Sequence, residues 1–370
     1  MFGVTGFDIV IGNTPYGAEI NKENLKQIKK IITDTNNSNS AALFIDISKN
    51  ILINQTGVLS FIVPKSLLYS EKWQSLVKVL INKTSILVDV EKAFDNVLLE
   101  QVVFIFCNNI KRKNYLARKF INGLFINDNI INIEDSLNFL AWICGVSQAE
   151  INLGIKILKN SILMNKISQT TRGLPIQKYL TKNGDIEVIG GKNILRYGID
   201  GIKGFISKEN LPQSDKLNLL TQSKIISQRI VAHIENPKPH IKIISSLDIE
   251  GNILSVDTVE NTILFNNQEF NIKFILALLN SNFINWYAYK FIFCSAIRTM
   301  DFDNYYVGKI PIPDILLKQQ QPIIKLVDKI LEIKKKNPQE NTSKLEKEID
   351  LLVYELYGLT EEEIKIVEGK

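Results

Sequence analysis

The stretch "FDIVIGNTPYG", Phe7 to Gly17, sets a short apolar run against an abrupt polar stop. Phe7, Ile9, Val10 and Ile11 favour a mostly buried strand, and Gly12, Asn13 and Pro15 end it. That pattern predicts a tight loop presenting Asn13 and Tyr16 at the strand's carboxyl end. In open α/β sheets ligands bind at that end. A planar heterocycle carrying an exocyclic amine suits such a loop. The Asn13 side-chain oxygen and a fixed backbone carbonyl accept its two N–H donors, while Tyr16 stacks on its face. The same residues also make an ordinary strand-terminating turn with a half-buried tyrosine, because Asn and Pro are common turn residues.

A helical stretch with Leu43, Ile47 and Ile51 on one face follows, then "GVLSFIVPKSLL" (57–68), "SILVDV" (85–90) and "EKAFDNVLLEQVVFIF" (91–106). This is a strand, helix, strand, hairpin order. The opening stretch resembles motif IV of the amino-group DNA methyltransferases, whose adenine-specific members read Asn-Pro-Pro-Tyr after a strand of this character. The order of the later segments resembles the way the sheet closes in the family that includes TaqI and the fused type II restriction-modification enzymes. The resemblance implies that Asn13, Thr14, Pro15 and Tyr16 form the catalytic loop of an adenine-N6 DNA methyltransferase. It also implies that Tyr16 and Phe94 pack against an adenine turned out of the duplex. Phe94 equally suits a core position. The chain departs from the family at Thr14, where the family has its first proline. The backbone carbonyl survives that change, but the restriction on φ does not.

In that family S-adenosylmethionine is held by a glycine-rich turn and an acidic residue on the next strand, both upstream of motif IV. Six residues precede Phe7 here, and Gly190-Gly191 lies in a different context. The resemblance therefore implies the C-terminal part of a methyltransferase, either an incomplete chain or a subunit working with a separately encoded N-terminal half that supplies most of the cofactor site. Two alternatives stay open: a DNA-specificity module without catalysis, and the remnant of a fused restriction enzyme and methyltransferase. No Pro-Asp…Asp/Glu-x-Lys nuclease signature is evident.

With 370 residues, of which 45% are hydrophobic, the chain is long enough for two or more cores. It shows neither a leader pattern nor an apolar run approaching the roughly 18 to 20 residues of a membrane span. Three scattered cysteines and two histidines give no disulfide framework and no zinc site of usual spacing. A reducing cytoplasm, no membrane and no metal are the expectations. Charge is unevenly spread. Residues 111–240 hold 19 Lys and Arg against 10 Asp and Glu, whereas residues 1–110 are balanced at ten of each. Affinity for duplex DNA comes largely from phosphate neutralisation, so the basic segment is where a duplex is expected.

Within it, "RGLPIQKYLTKNGDIEVIGGKNILRYGI" (172–199) resembles the start of the target-recognition domain shared by TaqI-like enzymes and type I specificity subunits. Its Gly and Asn turns between short apolar runs predict strands joined by exposed loops. On these, Arg172, Lys192, Arg196 and Tyr197 reach a groove or a phosphate, and Arg229 in "KIISQRIVAHIENPKPHIKIISS" (224–246) joins them. "FNIKFILALLNSNFINWYAYKF" (270–291) has helical spacing, with Trp286, Tyr287 and Tyr289 read as core. In the tail, Leu345, Ile349, Leu352 and Leu356 form a helical stripe, and Thr360 with Glu363 a capping box. The expected fold class is α/β: a truncated Rossmann-like methyltransferase sheet, then an α+β recognition domain and C-terminal helices. The expected divisions are 1–110 for the catalytic part, 111–160 for a helical linker, 161–320 for target recognition and 321–370 for the terminal helices.

Overall fold

A computed structural model describes residues 6–16, 20–32, 34–35, 37–52, 56–94, 97–265, 269–298 and 300–370, so Gly17 of the opening stretch lies outside the described residues. The chain forms two compact units. One is Met1–Ile155 with Lys290–Arg298, the other Lys156–Tyr289 with Thr299–Lys370.

The first unit is built on a six-stranded sheet. Its strands are β1 (Ile9–Asn13), β2 (Val58–Pro64), β3 (Thr84–Glu91), β4 (Gln101–Cys107), β5 (Asn114–Ile121) and β6 (Leu124–Asn132), in the spatial order β1-β2-β4-β3-β5-β6. β1 and β2 are parallel, with Asn13 opposite Ile62. Parallel neighbours need a long crossover, and here it carries α1 (Lys22–Ile28) and α2 (Ser40–Asn50). β4 runs antiparallel to both β2 and β3, so β1, β2 and β3 all end at the same edge of the sheet. β5 is parallel to β3 and also ends there. Leu59, Phe61 and Val63 of β2, Leu87 of β3 and Phe104 and Phe106 of β4 are buried, with Trp142 among the largest enclosed side chains. The buried residues of α2 include Ala41, Ala42, Leu43 and Ile45, while Ile51, expected on the same face, is exposed.

Two expectations need correction here. β1 is not mostly buried: Ile9 is 67% and Ile11 79% exposed. The strand is an edge, paired among the described residues with β2 alone, and the side chains of Ile9 and Ile11 on one face are open to solvent. The segment 111–160 is not a helical linker. Its first half is the β5–β6 hairpin, which extends the sheet, and helices occupy only Ile133–Asn138 and Gln148–Lys159. The hairpin turns on Asn122 and Gly123 with φ of 51° and 82°, the left-handed pair that a two-residue loop between right-twisted strands demands.

The second unit contains a four-stranded antiparallel sheet in the order Ser245–Asp248, Lys224–Gln228, Val259–Leu264, Ser168–Arg172. A smaller sheet joins Gly204–Ile206, Ile186–Ile189 and Leu254–Ser255. Helix Ile272–Asn280 is buried from Phe274 to Asn280, as expected of a helix apolar on all sides. Trp286, Tyr287 and Tyr289 are buried. In the tail, helix Ser343–Leu356 turns Ile349, Val353 and Tyr354 inward, slightly rotated from the expected leucine stripe. Thr360 and Glu363 cap the last helix reciprocally. Among the described residues no helix is long and apolar enough to cross a membrane.

Candidate functional site

At the carboxyl end of β1 the chain leaves the sheet at Asn13. Its side chain is exposed. Thr14 behind it is only 4% exposed, and its hydroxyl is buried without a partner among the described residues. Pro15 faces solvent while its carbonyl accepts a hydrogen bond from the Ser40 hydroxyl, the first residue of α2, whose amino end is capped by Asn39. The loop is thus pinned from one side by a helix start and from the other by the buried Thr14. Tyr16 is half-buried, and burial pushes its phenol pKa up. Phe94 sits in the loop between β3 and β4, at the same end of the same sheet, 37% exposed. This places both groups singled out for an aromatic heterocycle at the ligand-binding end of the sheet.

Three charged groups at this end carry no motif in the sequence: Lys65 just after β2, Asp89 near the end of β3 and Glu100 just before β4. All are at most 5% exposed, and they are joined by ion pairs of 2.8 Å (Lys65–Asp89) and 3.4 Å (Lys65–Glu100). An isolated lysine in "VPKS" gives no sign of burial, and its partners lie 24 and 35 residues away.

In the second unit, three of the expected DNA-binding cations gather around Thr258 to Glu260. Arg172 lies opposite Glu260 in the sheet register, its Nε 3.4 Å from the carboxylate. The Arg229 backbone N–H donates to the Thr258 carbonyl at 3.1 Å, and its guanidinium pairs with Asp301 at 2.8 Å. Lys192 is exposed on a turn whose Gly191 N–H donates to the Thr258 hydroxyl at 3.0 Å. Lys216, which the sequence did not single out, joins them, donating to the Gly173 carbonyl at 3.1 Å, its pKa lowered by burial. Arg196 and Tyr197 stand apart from this group. Arg196 Nε bonds the Glu346 carboxylate at 2.7 Å, with both side chains largely covered. Tyr197 is 2% exposed with φ of 61°, its N–H donating to the Ser245 carbonyl, so it is a core residue and not a stacking surface. A loop tyrosine beside an arginine reads as exposed unless its pairing with Ser245, 48 residues on, is known.

Opposite outcomes are expected from the two kinds of cation. Lys192→Glu weakens binding to mixed-sequence duplex DNA and lowers the slope of log affinity against log salt by about one or two. Arg196→Ala lowers the unfolding midpoint and leaves that slope unchanged. Titration at several salt concentrations, beside thermal melts, checks both.

Glu260 gives a pH signature. Burial pushes its carboxyl up to about 7 from an ordinary 4.5, partly offset by Arg172. A raised folded-state pKa means the fold favours the protonated acid. That contribution is complete below pH 4.5, declines as pH rises toward 7 and is lost above it, a change of at most about 3 kcal/mol. Glu260→Gln is expected to melt like the parent at pH 4.5 and higher than the parent at pH 8. An equal decline in both proteins contradicts this.

Residues 1–96 match the Eco57I restriction-modification methylase family, and residues 186–312 match the TaqI-like C-terminal specificity domain. No curated protein matches the chain. Among solved structures, the type IIL restriction-modification enzyme MmeI, determined in complex with DNA, is similar at 12% identity and a TM-score of 0.57. That match covers 98% of this chain and 56% of MmeI. The type IIG restriction endonuclease BpuSI matches at 13% identity and a TM-score of 0.35, covering 95% of this chain and 54% of its own. The likeness to MmeI is one of fold. The chain spans little more than half the length of these solved structures.

Proposed function

We propose that this chain, which joins a restriction-modification methylase segment to a TaqI-like specificity domain, is the base-binding and sequence-reading part of a DNA methyltransferase acting on the N6 amine of adenine. The observation that carries the proposal is the exposed Asn13 amide at a strand's carboxyl end, on a loop held by Ser40 and by the buried Thr14. The target adenine leaves the stack, because its amine cannot be reached inside the duplex. Asn13 Oδ1 and the Thr14 carbonyl accept the two amine protons, orienting the nitrogen lone pair outward, and Tyr16 and Phe94 enclose the ring. Positioning supplies most of the acceleration, and no titrating base is needed.

S-adenosylmethionine, when bound, supplies the methyl group. The described residues offer no glycine-rich turn after a strand with an acidic residue on the next one, so they do not by themselves fit the cofactor. A separate N-terminal methyltransferase half provides that site. It adds a strand to the open edge of β1 and covers Phe7, Ile9 and Ile11, which are 60 to 79% exposed. Arg172, Lys192 and Arg229 hold the phosphates of duplex DNA, and the work is done in the cytoplasm.

A second reading, a specificity module without catalysis, is favoured by one observation: the cation group of the second unit is complete, while the cofactor turn is not among the described residues. Mixing the chain with a methyltransferase N-terminal half, labelled S-adenosylmethionine and unmodified bacteriophage DNA separates the two. Label entering DNA only when both proteins are present supports the enzyme. DNA binding without label leaves the specificity module.

A further inference from the structure

Lys65, 3% exposed, is the hub of a buried charge group at the carboxyl end of the first unit's sheet. Its ammonium donates to Asp89 Oδ2 at 2.8 Å, to Glu100 Oε1 at 3.4 Å and to the Ser295 carbonyl at 3.0 Å, and its backbone N–H donates to the Glu100 carbonyl at 2.8 Å. The other carboxylate oxygens are used as well. Glu100 Oε2 accepts the Ile297 N–H at 2.8 Å, and Asp89 Oδ1 accepts the Glu91 N–H at 3.0 Å. One side chain therefore ties together the ends of β2 and β3, the last residue of the loop that carries Phe94, and a segment some 230 residues distant in sequence.

The backbone around this tie is strained. Glu91, Cys294 and Ser295 have φ of 49°, 48° and 55°, left-handed conformations that L side chains rarely adopt. Two of these residues are consecutive, and the second of them presents its carbonyl to Lys65. Burying one cation with two carboxylates contributes little to stability compared with apolar packing of the same volume. Strained backbone and buried charge concentrate where a geometry has to be held. Here they lie between the Asn13–Tyr16 loop and the Phe94 loop, at one end of one sheet.

We propose that Lys65 is a positioning residue for the target base. Through Glu100, Asp89 and the Ser295 carbonyl it holds residues 97–100 and segment 294–298 at the end of the sheet, and Val97, whose N–H donates to the Phe94 carbonyl at 3.1 Å, so places Phe94 against a base delivered to Asn13 and Tyr16. This rests on the methyltransferase reading above.

The test uses the full chain paired with the N-terminal half, with unmodified bacteriophage DNA as substrate and hydrogen exchange measured on the same preparations. In Lys65→Met, amides of 97–100 and 294–298 exchange at least about tenfold faster while those of β2 and β4 stay protected. At the same time kcat falls about a hundredfold and KM for DNA stays within about twofold. Lys65→Arg, which keeps the charge, recovers most of kcat. Should Lys65→Met not fold, Glu100→Gln weakens the tie while keeping an acceptor for Ile297, and it shows the same pattern at smaller amplitude. Unchanged exchange overturns the proposal. So does faster exchange with kcat intact, which reduces Lys65 to packing, and so does a change confined to KM. An unsubstituted pair that transfers no methyl group fails earlier, at the functional reading itself, and removes the proposal with it.

Discussion

Asn13→Ala is expected to lower methyl transfer by the reconstituted pair by about 10²- to 10³-fold, in kcat and not in KM for DNA, because the lost group acts on the amine only as it reacts. The side chain is exposed, and its backbone remains paired in β1 opposite Ile62, so neither the fold nor the phosphate contacts proposed for the second unit depend on it. Its removal should leave the free energy of unfolding within about 0.5 kcal/mol of the parent. Thr14 cannot substitute for it. In the proposed mode the threonine carbonyl accepts only one of the two amine protons, and its hydroxyl is buried. Steady-state rates at saturating DNA check the effect, and a rate within twofold of the parent would show that the loop is only a turn.

The largest loss of stability is expected at Asp248→Ala. Lys224, fully buried at the start of its strand in the four-stranded sheet, forms an ion pair with Asp248, which also accepts the backbone N–H groups of Asn252 and Ile253 at 3.3 and 3.1 Å. Burial lowers the Lys224 pKa, and Asp248 works against that shift. Removing the carboxylate leaves an ammonium without its counter-charge inside the sheet, which costs about 3–5 kcal/mol, a large part of the total stability of a typical domain. Lys224→Met with Asp248→Asn removes both charges and keeps an acceptor for the turn, so the double variant should recover most of the loss. Denaturant melts of the three proteins test this. A double variant no better than Asp248→Ala would show that the turn contacts, and not the stranded charge, set the cost.

The parts legible in the sequence are those where local chemistry settles the structure. Asn13 to Pro15 stop an apolar run whatever surrounds them, and β3 and β4 follow from short continuous runs of strand-forming apolar residues. Thr360 and Glu363 cap a helix using only each other. The exposure of Ile9 and Ile11 was not legible, because whether a face of a strand is covered depends on what packs against it and not on its own residues. The β5–β6 hairpin was signalled by Asn122-Gly123, but its place in the sheet depends on pairing with β3. What remained hidden is nonlocal throughout. Arg196 is taken up by Glu346, Tyr197 is buried, and segment 290–298 belongs with the first unit although both of its flanks belong to the second.

The most direct measurement is the nucleoside composition of bacteriophage DNA after incubation with the chain, its N-terminal half and methyl-labelled S-adenosylmethionine. The expected result is label in N6-methyladenine, reduced to background in the Asn13→Ala pair. Label in methylcytosine, or equal label in N6-methyladenine with and without the Asn13 amide, would contradict an adenine site at the end of β1.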